Sequence, residues 1–112
     1  MNLVSAAEAV KLIKSGDSVY IQGSTSVPEV LVQAMADRAP ELRGVKVYTA
    51  FAIGRQDSPY AKAELRDSFE PLSFFVANNI RKAINEGVAQ TIPAFLGEIP
   101  FLFRSRQIPL DV

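Results

Sequence analysis

The sequence predicts an α/β fold built on an open, mostly parallel sheet flanked by helices. Two observations carry that expectation. Short β-branched and aromatic runs, at Ser18–Gln22, Val45–Phe51 and Leu72–Val76, alternate with stretches whose apolar residues recur at helical spacing. Two of those runs pass through small polar residues into a helix start, the order expected of a βαβ arrangement with right-handed crossovers. The chain has 112 residues, 48% of them hydrophobic, which suits one modest core and is too short for two ordinary domains.

Taken in order, Ser5-Ala6-Ala7-Glu8 reads as a capping box that opens a first helix. Ala6, Ala9, Val10 and Ile13 share its inner face, Lys11 and Lys14 point outward, and Gly16 stops it. Ser18–Gln22 follows as a strand whose apolar middle does not alternate, as expected when both faces are covered. Gly23 permits a sharp turn or a close approach. Ser26 and Glu29 have the spacing of a second capping box, with Pro28 suited to a first helical turn. The second helix is expected over Val27–Arg38, with Val30, Leu31, Ala34 and Met35 as its buried stripe and Pro40 beyond its end.

Val45–Phe51 is the second strand, with Gly54 at its carboxyl end on the same edge as Gly23. Between Arg55 and Pro71 the pattern weakens to a surface excursion, a lid or partner contact or mere decoration, in which Asp57-Ser58-Pro59 signals a short helix through Leu65. Leu72–Val76 is the third strand, and Asn79 is the expected N-cap of a helix over Ile80–Glu86 that Gly87 stops. Arg81 and Lys82 oppose the dipole at the start of that helix. Thr91–Leu96 is extended, with Pro93 restricting it to an edge, and Gly97–Phe103 begins helical. Phe95, Phe101 and Phe103 are expected to pack inside, and Gln107–Val112 to approach another strand, as in a truncated domain.

Ser24, Thr25 and Ser26 thus fall at the carboxyl end of a strand and the amino end of a helix, where open α/β sheets bind ligands. Free backbone N–H groups there favour an anion or a carbonyl oxygen. Helix capping alone also explains such residues. Asn78 and Asn79 occupy the corresponding place after the third strand.

Composition excludes several chemistries. Twelve basic and twelve acidic residues balance without a block of like charge, which argues against nucleic acid as the main partner. Without cysteine or histidine there is no disulfide, thiolate nucleophile or Ser-His-Asp triad, and no metal site is expected. Neither a G-x-G-x-x-G nor a P-loop is present. No apolar run approaches the roughly 18 residues of a membrane span and no signal peptide is evident, so the expectation is a cytoplasmic protein without a membrane partner.

Four stretches, SAAEAVKLIKSGDSVYIQG, SVPEVLVQAMADRAPELRGVKVY, FFVANNIRKAINEG and TIPAFLGEIPFLF, occur in the order seen in one known family. Through them the chain resembles the N-terminal part of the acetyl-CoA hydrolase/transferase family, class I CoA-transferases that include 4-hydroxybutyrate CoA-transferases. The resemblance implies a CoA-transferase/sugar-isomerase-like α/β domain over residues 1–112, incomplete, with a catalytic C-terminal domain outside this chain. It implies acyl-CoA and a small carboxylic acid as substrates, coenzyme A as the carried group, no metal, and a homo-oligomer. The nucleophile would be a glutamate of the C-terminal domain, which attacks the thioester and ends as a glutamyl-CoA thioester. None of the glutamates here inherits that role, and the chain alone should not turn over. Gly23, Ser24, Thr25 and Ser26 would line the acyl or carboxylate pocket, with Asn78 and Asn79 on the same edge. The sequence departs from the family near Thr91, where an aromatic is frequent, and near Gly97, where a serine is frequent, which bears on acyl preference. An acyl-CoA hydrolase of this family, a sugar-phosphate-binding sensor of related fold and a non-catalytic interaction module remain the alternatives.

Overall fold

The computed structural model describes residues 2–53 and 57–112. Four parallel strands, β1 (Ser18–Ile21), β2 (Val45–Thr49), β3 (Phe69–Ser73) and β4 (Gln90–Thr91), lie side by side in sequence order. Among the described residues four α-helices accompany them: α1 (Ala6–Ala9), α2 (Glu29–Asp37), α3 (Asn78–Asn85) and α4 (Ile99–Arg104). This is the α/β architecture that the spacing predicts. No helix among the described residues is long and apolar enough to cross a membrane.

The pleat sorts side chains into two layers. Val19 and Ile21 of β1, Val45 and Val47 of β2 and Phe69 of β3 meet Val10, Ile13, Val32, Met35 and Ala36 on one face. Tyr20, Tyr48, Leu72 and Phe74 turn to the other, where Ile99 and Phe103 of α4 cover them. The Phe103 ring stands edge-on to Tyr20, Tyr48 and Phe74, with centroids 5.3, 6.2 and 5.9 Å away. Such T-shaped contacts add roughly 0.5–1.5 kcal/mol each beyond burial. Lys46 and Glu70, paired in register at the amino ends of β2 and β3, are exposed on the α4 face, so α4 covers only the carboxyl half of that face.

Of the expected capping box at the first helix the Ser5 half forms, its hydroxyl accepting the Glu8 N–H at 3.2 Å, while the Glu8 carboxylate pairs with Lys11. It tightens into a 3-10 turn over Val10–Leu12, and Gly16 follows with a φ of 83°. Arg38 holds this unit in place, donating to the Val10 and Ile13 carbonyls, the latter at 2.9 Å, while Glu41 accepts at 3.1 Å. In α2 the buried face is Val32, Met35 and Ala36, continued by Ala39; of the expected stripe Met35 is buried and Ala34 packs against the core, whereas Val30 and Leu31 do not. Val30 is 74% and Leu31 41% exposed. The helix starts two residues later than predicted, and its inward face is the one that packs against Val10, Ile13, Val19 and Val47.

Strand β3 begins at Phe69, three residues before the expected Leu72, and contains Pro71. Phe74 N–H bonds to Thr49 on β2, while the Ser73 carbonyl accepts Ile92 N–H on the opposite side. By the alternation of a parallel ladder, Pro71 therefore faces the β4 side, where β4 starts only opposite Leu72. Its missing donor costs no ladder bond. The segment before β3 is not a mere surface excursion. Among its described residues only Ala63–Leu65 is helical, as a 3-10 turn, and Tyr60 is 2% exposed within the core. Phe103 packs as expected, whereas Phe95 and Phe101 do not; they are 80% and 63% exposed.

The last residues approach β1 from its outer edge. Tyr20 N–H donates to the Val112 carbonyl at 2.9 Å, and Asp111 and Val112 N–H donate to the Ser18 carbonyl at 2.9 and 3.2 Å. The Asp111 carboxylate accepts the Ser18 N–H at 2.8 Å.

Candidate functional site

Strands β1, β2 and β3 run parallel, so their carboxyl ends open to one edge. At that edge β1 runs into Gly23, whose Cβ position is filled by the backbone of Phe51. A Cβ there would stand 2.7 Å from the Phe51 carbonyl oxygen. Ser24 N–H donates to the same oxygen at 2.5 Å, and Ser24 bridges Ala52 as one further parallel rung. This contact leaves Ser24 at a φ of 60°, a left-handed conformation that a residue with a Cβ adopts at a cost of roughly 1–2 kcal/mol.

Thr25 and Ser26 continue the turn and are exposed with Ser24. The reciprocal cap expected from Ser26 and Glu29 does not form. Pro28 takes the cap position and Glu29 is the first helical residue, not the third. Once the chain has been diverted by the Gly23–Phe51 contact, it needs the extra residues to reach the helix axis. The hydroxyls of Ser24, Thr25 and Ser26 therefore bond to no other described residue.

The end of β3 departs in a similar way. Helix α3 starts at Asn78, with Ala77 at the cap and no side-chain cap bond, so Asn79 is not the N-cap. Asn78 is exposed at the first turn. Asn79 is half-buried, its carbonyl accepts Ser58 N–H at 3.1 Å, and its Oδ1 is shut from solvent without a partner among the described residues. The structure thus puts Gly23–Ser26 and Asn78–Asn79 on one edge, two strand spacings or roughly 10 Å apart, and not in contact. Gly54, which the sequence places on that edge, lies outside the described residues.

Between these two polar stations stands an apolar wall that the sequence reading did not single out. Phe51 and Ile53 after β2, and Val76 after β3, are each more than 40% exposed. The Phe51 and Phe75 rings meet edge-on with centroids 6.5 Å apart. The signal was available: apolar residues persist past both strand ends, where a turn usually becomes polar. Beneath the wall lies a layer of buried hydroxyls. Thr49 Oγ1 donates to Ser73 Oγ at 3.1 Å, and Ser73 Oγ donates to the Phe75 carbonyl at 2.5 Å. The Tyr60 phenol joins them, pushed up to about 12 by burial, which hydrogen bonding with Ser58 and Thr49 only partly opposes. It is a proton-holding, structural phenol and no base at ordinary pH.

The arrangement offers exposed hydroxyls and N–H groups beside an apolar wall, a combination suited to a small molecule with one oxygen-rich end and one hydrocarbon end. No nucleophile with an activating base stands among the described residues at this edge.

Residues 1–110 match the family described as the acetyl-CoA hydrolase/transferase N-terminal domain. The succinyl-CoA:acetate/propanoyl-CoA:succinate CoA transferase of Fasciola hepatica is 33% identical over 107 residues, which are 94% of this chain and 22% of that protein. The 4-hydroxybutyrate coenzyme A transferase of Clostridium kluyveri is 30% identical over 110 residues, 98% of this chain and 25% of the relative. Among solved structures, RipA from Yersinia pestis superposes with a TM-score of 0.77 at 26% identity, covering 96% of this chain and 27% of RipA. The chain spans about a quarter of the length of these proteins. On that match, carried over nearly its whole length, the chain belongs to the acetyl-CoA hydrolase/transferase family, in the part that forms the N-terminal domain.

Proposed function

We propose that residues 1–112 are the acyl- and carboxylate-facing half of an acyl-CoA:carboxylate CoA-transferase, completed by a C-terminal domain that carries the nucleophile. The observation that carries this reading is the strained, exposed Ser24 turn at the carboxyl end of β1, beside the Phe51–Val76 wall, in a chain of this family. Backbone strain held at a ligand-accessible strand end is a feature of binding sites. Gly23, Ser24, Thr25 and Ser26 would take the polar end of the acid or thioester, Asn78 and Asn79 would approach from the β3 side, and the wall would take the hydrocarbon. Coenzyme A enters as acyl-CoA.

The glutamates of this chain support placing the nucleophile elsewhere. Glu8 pairs with Lys11, Glu41 with Arg38 and Glu86 with Lys82, Glu98 accepts the Phe95 N–H, Glu29 opens α2, and Glu64 and Glu70 lie in the turn before β3 and at its amino end, away from the carboxyl edge. In the proposed reaction a glutamate carboxylate attacks the thioester carbonyl and expels CoA thiolate, leaving an acyl-glutamyl anhydride. The thiolate then attacks the glutamyl carbonyl, which releases the first carboxylate and leaves glutamyl-CoA. The incoming acid reverses both steps, so no proton is gained or lost overall. This chain's part is to orient the carboxylate and exclude water from the anhydride.

The test is borohydride trapping of the complete protein after incubation with acyl-CoA. Reduction of glutamyl-CoA leaves a primary alcohol, read by peptide mass on one glutamate. The expected location is outside residues 1–112, and the 112-residue chain alone should consume no acyl-CoA. Trapping on Glu29 or any other glutamate of this chain would refute the division of labour. Consumption without trapping or transfer would instead favour a hydrolase, against the four similar proteins, all of which are named CoA transferases.

A further inference from the structure

Helix α4 buries Ile99 and Phe103 against the sheet and turns Phe101 to the outside. Its flank and the Pro93-Ala94 stretch after β4 enclose an open groove of about 600 Å³, lined also by Phe101, Leu102, Glu98 and Arg104. An apolar groove with an exposed aromatic on its rim is a contact surface. Glu98 already has helical angles, with φ −83° and ψ −26°. Glu98, Phe101 and Arg104 therefore follow one another at three-residue steps, about 4.5 Å apart along the axis, with one charge on either side of the ring. All three are exposed. The Arg104 guanidinium lies 5.8 Å from the centroid of the Phe101 ring. Neither Glu98 nor Arg104 has an ion-pair partner among the described residues.

We propose that this face pairs with a second copy of the chain, α4 against α4 and antiparallel, about a two-fold axis at Phe101. Inverting the helix exchanges the positions three residues before and three residues after its centre. Glu98 thus comes level with the partner's Arg104, and Arg104 with the partner's Glu98, while the two Phe101 rings meet over the grooves. An isologous contact makes each of these pairs twice. The ring already holds the guanidinium beside the axis, which lowers the cost of ordering it. Twelve basic and twelve acidic residues leave no net charge to keep two copies apart. Val112 ends the chain on the outer edge of β1, whereas the Pro93-Ala94 wall continues β4, three strand spacings or roughly 15 Å away. Polypeptide following Val112 therefore departs from the far side of the sheet. Helix α4 has six residues and is about 9 Å long, so the contact buries less than the roughly 800 Å² per partner of a standard interface. The pairing is accordingly weak and reversible, and it rests on no step of CoA transfer.

Sedimentation equilibrium of the chain at up to about 1 mM tests this, with a monomer–dimer Kd on the order of 0.1 mM expected. Arg104→Glu and Glu98→Arg each set like charges level with one another at both contacts, and each should weaken association at least tenfold. Mixed in equal amounts, the two variants restore both opposite pairs in a heterodimer, so the mixture should return to within about threefold of the wild-type affinity. Phe101→Ser should abolish association. Arg104→Glu keeps Glu98 and its bond to the Phe95 N–H, so it reads the contact even where Glu98→Arg frays the helix. A wild-type chain that stays monomeric at about 1 mM overturns the proposal. So does Arg104→Glu that associates as the wild type does, or a mixture that stays monomeric although both variants are folded by circular dichroism. Association removed by Phe101→Ser but untouched by either charge reversal is undirected apolar contact, and it overturns the two-fold arrangement as well.

Discussion

Gly23 and Ser24 are adjacent, yet the backbone asks opposite things of them. Gly23 has an ordinary φ but no room, because the Phe51 carbonyl occupies the place of a Cβ. Ser24 has room but a φ of 60°, which glycine tolerates and serine does not. Gly23→Ala should therefore destabilise the chain by about 1–3 kcal/mol, since a backbone atom must move. Ser24→Gly should be neutral or stabilising by up to about 1 kcal/mol, because the strain is relieved while the unfolded chain gains entropy. Urea unfolding of both variants checks this. In the complete protein Ser24→Gly should lower CoA transfer at least several-fold despite its stability, the pattern expected when a strained residue serves binding. Transfer at the wild-type level with Ser24→Gly would remove Ser24 from the site.

At the scale of elements, helix packing here depends on end contacts as much as on apolar faces. Helix α1 is one turn long, continued by one 3-10 turn, and could not persist alone. The Arg38 guanidinium, itself largely covered, anchors it by two carbonyls, at Val10 and Ile13. Losing a charged donor to two backbone acceptors costs roughly 1.5–3 kcal/mol, so Arg38→Met should destabilise by that amount. Glu41→Gln should cost under about 1 kcal/mol, because the Glu41 side chain is 68% exposed and the pair is solvated. Equal losses for the two variants, measured by denaturant midpoint, would mean that the ion pair and not the carbonyl anchor holds α1. This anchor was invisible in the sequence, where Arg38 reads only as the end of a helix. The Ser5 cap was legible because it is local, needing three residues and one hydroxyl. The Ser26 and Asn79 caps were misread because a tertiary contact decides where each helix begins: the Gly23–Phe51 approach delays α2, and the backbone bond from Ser58 draws Asn79 into the first turn.

For the whole molecule, the period of the apolar runs made the parallel sheet legible, and the strand-end turns marked the edge that holds the candidate site. Pairing moved the borders, since Phe69 and Pro71 join β3 only because β2 stands beside them, and the apolar wall at Phe51 and Val76 emerges only when two strand ends meet. Tyr60 is the clearest case of a residue hidden by its context. It lies in a stretch of charges and prolines, yet is buried against the main core and hydrogen-bonded with Ser58 and Thr49. Burial raises its folded value from the model-compound 10.0 to about 12. In the unfolded chain the phenol ionises near pH 10, whereas the native state keeps its proton until about pH 12. The contribution is thus fully present below pH 10 and is lost as pH rises through that interval, by an amount on the order of 3 kcal/mol. Tyr60→Phe removes the titrating group and keeps the ring, so its unfolding free energy should fall less steeply than wild type between pH 10 and 12, even if its stability at neutral pH is lower by about 1 kcal/mol for the lost hydrogen bonds. Parallel stability–pH curves for the two proteins across that interval would show that the phenol ionises as readily in the native state as in the unfolded chain, and that the segment before β3 opens to water without unfolding the sheet.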